Sequence, residues 1–356
     1  MFRKIRVAGE HETLFLRPLI LLMSLATLTV LVFVSFFIGP VSIPLVTVMA
    51  ILFKQIPVIG SLQPYAVKPV YFEIVYYIRE PEILGGVVVG ASLGMGGAVV
   101  QSIFKNPITE PYVIGLSSGA ALGAVGAIIF GIAIFGPYSV QVLAFCFALL
   151  SVFTVYMLSH RNGRVPATYL LLMGVSISFF TSSVVALMIY SNIRLQSSAF
   201  FWLLGSLQGI TWQELLPVVL VVLPAMFIMS MYSRELNAMQ LGGAYAHSVG
   251  IKVERTKRIL IALVALSVSA SVSISGLIGF VGLVMPHMSR LIYGGSNRYV
   301  IPSSAILGAI FLVLSDDIAR MAIPGKVIPI GIITGMIGVP FFIYLLGRLS
   351  SGAYEN

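Results

Sequence analysis

Charged residues are scarce in this sequence. Asp, Glu, Lys and Arg make up 9% of the 356 residues and hydrophobic residues 58%, whereas about a quarter of a typical soluble domain is charged. The mean hydropathy is +1.04. No water-soluble fold could bury so much apolar surface, and no polar linker divides the hydrophobic segments. We therefore expect one all-α integral membrane domain over residues 1–356.

Paired cysteines, clustered histidines and nucleotide-binding motifs are also missing. The single cysteine, Cys146, has no partner for a disulfide or a thiolate metal site, and the four histidines lack ligand spacing. The one Gly-Lys pair, Gly325-Lys326, is followed by Val327 and does not form the phosphate-binding loop of an ATPase. The sequence predicts no metal site, no cofactor and no enzymatic activity in this chain, so ATP and Mg would be bound by a partner ATPase.

The centres of the apolar runs carry no ionisable side chain either. A charge inside a membrane is costly and is kept where it functions, so proton- and sodium-coupled carriers usually contain one. No Ser/His/Asp set or carboxylate pair falls at one membrane depth, so we expect no catalytic centre. These absences favour a translocation path that takes its energy from another subunit. A stand-alone channel or secondary transporter is the alternative.

Apolar runs, by contrast, recur along the whole chain at about the 20 residues that a helix needs to cross the hydrocarbon. The first run is too long for the hydrophobic region of a signal peptide. The run 41–53 is too short to cross and is interpreted as a re-entrant or interfacial helix. The division between the seventh and eighth spans depends on Gly276. Ten spans are predicted, near 18–38, 83–104, 112–132, 138–158, 167–190, 212–232, 259–275, 277–292, 301–319 and 328–347.

Lys and Arg orient these spans, because they are retained on the cytoplasmic side of a membrane protein. With both termini in the cytoplasm, fifteen of the 21 Lys and Arg residues lie on the inner side and six on the outer side. The twelve acidic residues divide evenly, so the inner side carries the whole net charge of +9. Orientation in a membrane explains the basic composition, and no nucleic-acid partner is expected.

Glycine is concentrated in the second and third predicted spans, 83–104 and 112–132. Small residues let helix backbones approach each other closely. The pattern therefore predicts tight helix packing. It is equally compatible with helices that slide or tilt against each other during a transport cycle.

Six motifs stand out along the chain, at 78–82, 101–115, 241–251, 278–287, 316–320 and 329–331. Together they resemble the permease family of iron-siderophore, haem and cobalamin ABC importers. The resemblance covers roughly residues 14–348. It implies a type II importer fold, similar to the vitamin B12 permease, with ten helices and an inverted pseudo-repeat in the cell membrane. It also implies a homodimer around a central path, two cytoplasmic ATPase subunits and an extracytoplasmic binding protein. Siderophore, haem, cobalamin and oxyanion all remain open as substrates.

The resemblance assigns an ATPase-coupling role to the cytoplasmic loop 233–258. It implies two short helices broken by glycine, which supplies the unusual backbone conformation such a break needs. Gly243 departs from the polar or acidic residue that relatives commonly have there, which weakens the helix prediction. A basic, solvated loop is the alternative. The candidate coupling residues are Leu241, Gly242, Ala246, His247, Val249 and Gly250.

An inner gate is implied where two prolines end the second span. Irregular backbone at a membrane boundary is tolerated where it lines a cavity. Relatives place small hydroxyl residues at the start of the fifth span, where this chain has Ala167 and then Thr168. An ordinary Asn-Pro turn is the alternative. The candidate path and gate residues are Gln101, Asn106, Pro107, Ile108 and Thr168.

Arg79 and Arg320 occupy positions where the family presents arginines to acidic residues of the binding protein. Charge pairs of this kind orient docking. We expect Asp316 to cap or pair near Arg320, one helical turn away. A solvated or headgroup-bound arginine is the alternative. Relatives usually have Arg-x-Pro-Arg, whereas this chain has acids at Glu80 and Glu82, so either the partner surface differs or docking depends on Arg79 and Arg320.

Overall fold

The computed structural model describes residues 2–55, 67–161, 163–323 and 325–353, with side-chain environments between residues 16 and 344. Helices make up 80% of it, and no strand occurs in these ranges. A helix satisfies its own backbone groups, which apolar surroundings require. The helices are α1 Phe2–Ser35, α2 Leu45–Lys54, α3 Pro69–Phe104, α4 Leu116–Phe130, α5 Ser139–Leu158, α6 Ala167–Ser191, α7 Gln196–Leu203, α8 Trp212–Met231, α9 Ser233–Leu241, α10 Gly243–Ser248, α11 Val253–Ser275, α12 Val281–Tyr293, α13 Asn297–Met321 and α14 Ile330–Ala353.

Each of the ten predicted spans overlaps one of these helices. Within the described ranges, seven helices are long and apolar enough to cross a membrane: α1 from Leu16 onward, α3, α5, α6, α8, α11 and α13. The apolar helices α2 and α4, and α14 up to Tyr344, are shorter. The predicted all-α membrane fold is confirmed.

The bundle has two ends, which we name after Arg79 and Gly242. At the Gly242 end, Gln240 donates a hydrogen bond to the Ser102 hydroxyl at 3.2 Å, near the end of α3. The backbone N of Asn297, where α13 begins, donates to the side-chain O of Asn237 in the same helix α9 at 2.8 Å. Helix α3 therefore runs from the Arg79 end to the Gly242 end, and α13 returns in the opposite direction.

Helix α3 is the centre of the bundle. In its most apolar stretch, 78% of the residues are buried inside the protein, against 22% in the corresponding stretch of α6. A Cβ on Gly90 would overlap the backbone of Gly308 in α13, and one on Gly94 would overlap the carbonyl of Ser304. These glycines let the backbones of α3 and α13 touch, as the tight-packing interpretation predicts.

Two of the predicted spans are interrupted by non-helical backbone. With 15 and 13 residues, α4 and α12 measure only about 22 and 20 Å, less than the ~30 Å of membrane hydrocarbon. A 3₁₀ turn, Pro111–Ile114, precedes α4. Helix α12 follows residues 276–280, where Gly276 and Phe280 both have positive φ angles. Gly276 thus separates α11 from α12, and the apolar residues directly after it are non-helical although hydropathy suggests helix.

Candidate functional site

The two interrupted spans meet at a joint, which we call the Glu110 joint, formed by Glu110, Tyr112, Ile278 and Phe280. The Glu110 carboxylate accepts a hydrogen bond from the backbone N of Phe280 at 3.0 Å. The Tyr112 hydroxyl donates to the Ile278 carbonyl at 3.0 Å and accepts from the Ile278 N at 3.3 Å. A carboxylate stabilises a helix N-terminus, where the unpaired N–H groups carry partial positive charge. The joint therefore fixes the start of α12 to the turn before α4.

Gln101 fixes the other side of α12. Its side chain is buried, and its amide N donates to the carbonyls of Gly282 and Leu283 at 3.3 and 3.2 Å. Its amide O accepts from Arg290 at 2.5 Å. These bonds occupy both ends of the amide. Gln101 thus holds α12 against α3, and its predicted place in the translocation path stays a prediction.

The predicted gate residues Asn106, Pro107 and Ile108 form a turn at the Gly242 end. The Asn106 side-chain O accepts from the Ile108 N at 3.1 Å, a common way for asparagine to stabilise a turn. Ile108 is 54% exposed, and Thr168, near the start of α6, is also exposed. The turn is therefore present, with accessible side chains that a gate would need.

A groove of about 370 Å³ lies where the 3₁₀ turn runs beside α6. Gly174 of α6 permits this approach, since a Cβ there would overlap the carbonyl of Val113. Sequence reasoning missed the groove, although Gly174 between apolar residues is a signal of close packing. Its lining combines aromatic, aliphatic and hydroxyl side chains, namely Tyr112, Val113, Val175, Ser178, Phe179 and Ser182.

The predicted coupling loop, residues 233–258, contains two short helices, α9 and α10, and the start of α11 at Val253. Gly242 separates them with a φ of 141° and a ψ of 150°, a conformation that essentially only glycine adopts. Gly250 follows α10 with a φ of 82°. The departure at Gly243 does not prevent a helix, because Gly243 is the first residue of α10.

These short helices expose an apolar surface, the Tyr245 face, formed by Leu241, Tyr245 and Val249. The three side chains are 73%, 49% and 53% exposed. His247 is exposed beside them, whereas Ala246 is fully buried and its carbonyl accepts from the Ile251 N at 2.9 Å. Ala246 thus contacts the bundle, and Tyr245, which sequence reasoning overlooked, points outward.

At the opposite end, Arg79 is buried and holds the loop that follows α1. Its guanidinium donates to the Phe36 carbonyl at 2.6 Å and to the Val41 carbonyl. A Cβ on Gly39 would lie 2.8 Å from the guanidinium. A π-helical stretch, Glu73–Arg79, leads into this position; such stretches occur frequently at functional sites. Arg79 is 3% exposed, so its side chain is directed into the protein.

Arg320 is equally enclosed. It forms the predicted ion pair with Asp316, and the two side chains are 6% and 7% exposed. Asp317 accepts from the Ser35 hydroxyl at 2.6 Å. We call the buried set the Arg79 network; it contains Arg79, Glu82, Asp316, Asp317 and Arg320.

Of the two acids that depart from the family pattern, Glu82 belongs to this network, whereas Glu80 is bound separately. The Glu82 carboxylate accepts from the Gly209 N at 2.9 Å, and that of Glu80 accepts from the Gln55 amide at 2.8 Å. Both acids therefore stabilise local structure. The docking role of Arg79 and Arg320 stays a prediction, and it would require both side chains to leave these partners.

Within the described ranges, no three His, Cys, Asp or Glu residues are grouped as metal ligands.

Glu110 was not singled out from the sequence, because ionisable residues were expected to matter only at the centres of apolar runs. The available signal was Pro111, because it begins the 3₁₀ turn and Glu110 stands directly before it.

Comparisons with known proteins identify the family and the fold of the chain. Residues 27–348 match the FecCD transport family. The chain is 42% identical over 274 residues to the cobalamin import system permease protein BtuC of Halobacterium salinarum, covering 77% of this chain and 73% of that one. It is 36% identical over 276 residues to the hemin transport system permease protein HmuU of Yersinia pestis, covering 76% and 82%. A metal-chelate type ABC transporter solved in an inward-facing conformation is similar with a TM-score of 0.81 and 30% identity, covering 93% and 99%.

Proposed function

The chain belongs to the FecCD transport family and is a permease of the ABC importer type, and we propose that its cargo is a metal chelate. Relatives are named for cobalamin import and hemin transport, and the similar structure is of the metal-chelate type. In this proposal two copies enclose the path. Two cytoplasmic ABC ATPase subunits bind the Gly242 end, and an extracytoplasmic binding protein delivers cargo at the Arg79 end.

The Tyr245 face is the observation that supports an ATPase partner. Exposed apolar patches rimmed by polar residues are typical of protein interfaces. The excess of Lys and Arg on the side of the Gly242 end favours a cytoplasmic location for this end. ATP is available in the cytoplasm. The Ala246 carbonyl accepts from the Ile251 N at 2.9 Å and Ala246 itself is buried, so α10 is held against the bundle and against the segment that leads into α11. A movement of the face would therefore be transmitted into the bundle.

The groove beside α6 is the part of the surface best suited to line the path. Only 22% of the residues in the most apolar stretch of α6 are buried inside the protein, so much of this helix is free to contact a second copy or the cargo. The lining offers hydroxyl and apolar groups without charge. Such a wall would let a large chelate pass without binding it tightly, and specificity would then reside in the binding protein.

Tyr245→Asp tests the coupling role. We expect the variant to assemble in the membrane but to lose ATP-driven uptake of cobalamin and hemin by vesicles that contain the complete transporter. A carboxylate buried in the ATPase interface would remain unpaired, which is costly. Ser248→Asp on the same short helix is the matched control, because Ser248 is exposed but lies outside the Tyr245 face.

Equal loss in the two variants would contradict the coupling role of the Tyr245 face. Uptake driven by an ion gradient, with the purified chain alone, would contradict the importer assignment and favour a secondary transporter. If the complex hydrolyses ATP in response to its binding protein but accumulates neither chelate, the cargo class is wrong while the coupling role stands.

A further inference from the structure

A larger groove, of about 630 Å³, runs along the surface between α5 and α11. Ten of its twelve lining residues are apolar, and the remaining two are Tyr156 and Arg258. The Arg258 Nε donates to the Tyr156 hydroxyl at 3.2 Å. The groove thus has an apolar trough and one cationic end, and it shares no residue with the path groove beside α6.

The cationic end lies near the boundary of the predicted membrane. Tyr156 is close to the end of α5 at Leu158, and Arg258 is close to the start of α11 at Val253. From Arg258 the groove extends to Leu266, a distance of about 12 Å at the helical rise. One leaflet contributes about 15 Å of hydrocarbon. The trough therefore matches the depth of one leaflet on the side favoured for the cytoplasm.

The charge of Arg258 is not balanced by any side chain that the structure describes. None of the described carboxylates forms an ion pair with it, whereas its neighbour Lys257 pairs with Glu254 at 3.0 Å. The Tyr156 hydroxyl orients the guanidinium at the end of the trough. A guanidinium in a fixed orientation is well suited to bind a phosphate through two N–H groups.

We propose that this groove binds an anionic phospholipid of the cytoplasmic leaflet, with its phosphate on Arg258 and an acyl chain along the trough. The inner leaflet supplies such lipids beside a basic protein surface. The apolar lining favours a chain of methylene groups over a free anion, which would use only the arginine. This surface would be a lipid site distinct from the proposed path.

The test measures which lipids stay bound to the purified transporter. The complex is equilibrated with vesicles of phosphatidylglycerol and phosphatidylcholine in equal parts, re-isolated, and its retained lipid is quantified by mass spectrometry. We expect phosphatidylglycerol to be enriched. Arg258→Ala should weaken its retention about tenfold, the ratio expected for one lost charge-assisted hydrogen bond. Arg258→Lys should restore part of it.

Two further variants separate the groove from the charge. Ala262→Trp, at an exposed alanine of the lining, should fill the trough and remove both lipids. Arg255→Ala is the matched control, since Arg255 is exposed on the same helix but does not line the groove. It should leave the enrichment unchanged. Even if the tryptophan variant fails to assemble, the comparison of Arg258→Ala with Arg255→Ala decides the proposal.

Three results would overturn it. Equal retention in the Arg258 and Arg255 variants would exclude a role for Arg258. Displacement of phosphatidylglycerol by inorganic phosphate alone would show a simple anion site. Disulfide-linked dimers of Ala262→Cys in a Cys146→Ser background, without retained lipid, would show that a second copy of the chain covers the groove.

Discussion

At the Arg79 end, the Asp316 and Arg320 side chains pair while only 7% and 6% exposed; at the Gly242 end, Glu254 and Lys257 pair while 33% and 19% exposed. The first pair belongs to a network that joins the loop after α1, helix α3 and helix α13. The second lies beside the short helices that carry the Tyr245 face. The two ends thus place the same chemistry in very different surroundings.

The difference indicates a division of labour between the ends. A buried charge cannot leave its partner without a large desolvation penalty, so the Arg79 network fixes its helices in one arrangement. Exposed pairs contribute little and can exchange partners with water. We therefore expect the Arg79 end to behave as a rigid unit and the Gly242 end to tolerate movement, which suits an end that responds to a partner.

Asp316→Ala should have the largest effect on stability. It would leave Arg320 buried without its partner, and breaking a buried pair in this way costs about 3–5 kcal/mol. Lys257→Ala is the control from the opposite end and should cost less than about 1 kcal/mol. Thermal unfolding of the purified chain in detergent, followed by its tryptophan fluorescence, measures both.

The same experiment separates stability from docking. If Asp316→Ala keeps the wild-type unfolding temperature but slows delivery from the binding protein, Arg320 functions at the surface and the network interpretation is wrong. The network interpretation is supported if Asp316→Ala lowers the stability and the double variant Asp316→Ala/Arg320→Met regains it, because the double variant removes both charges.

Arg79→Lys should produce a smaller and more local loss. Lysine keeps the charge but cannot bond the Phe36 and Val41 carbonyls with a planar fork, and one lost charged hydrogen bond costs about 1.5–3 kcal/mol. We expect faster amide hydrogen exchange in residues 36–41. Lys68→Ala, at an exposed lysine of the same end, should not change it; equal protection in all three proteins would show that Arg79 does not hold the loop.

The helices were predictable from the sequence because hydropathy reports, residue by residue, a preference for apolar surroundings, whether these are protein or membrane. Gly276 was likewise a visible boundary. The environment of Arg79 was not predictable, since its partners lie 38 and 43 residues away and motif position alone does not show which way a side chain points. The Glu110 joint depends on segments 170 residues apart. Long-range pairing of this kind leaves no local pattern in a single sequence.

Gly242→Ala should have the smallest effect on stability and should be confined to the mobile end. A Cβ has open space there, so the cost comes from the backbone alone; a φ of 141° strains alanine by about 1–2 kcal/mol, part of which the exposed segment can relax. Gly243→Ala is the neighbouring control, because Gly243 is helical and equally free of contacts. We expect Gly242→Ala to reduce stimulation of the partner ATPase and to leave the unfolding temperature within a degree or two of wild type, while Gly243→Ala changes neither. If both variants impair stimulation equally, the requirement is for a small residue at this surface and not for the backbone conformation of Gly242.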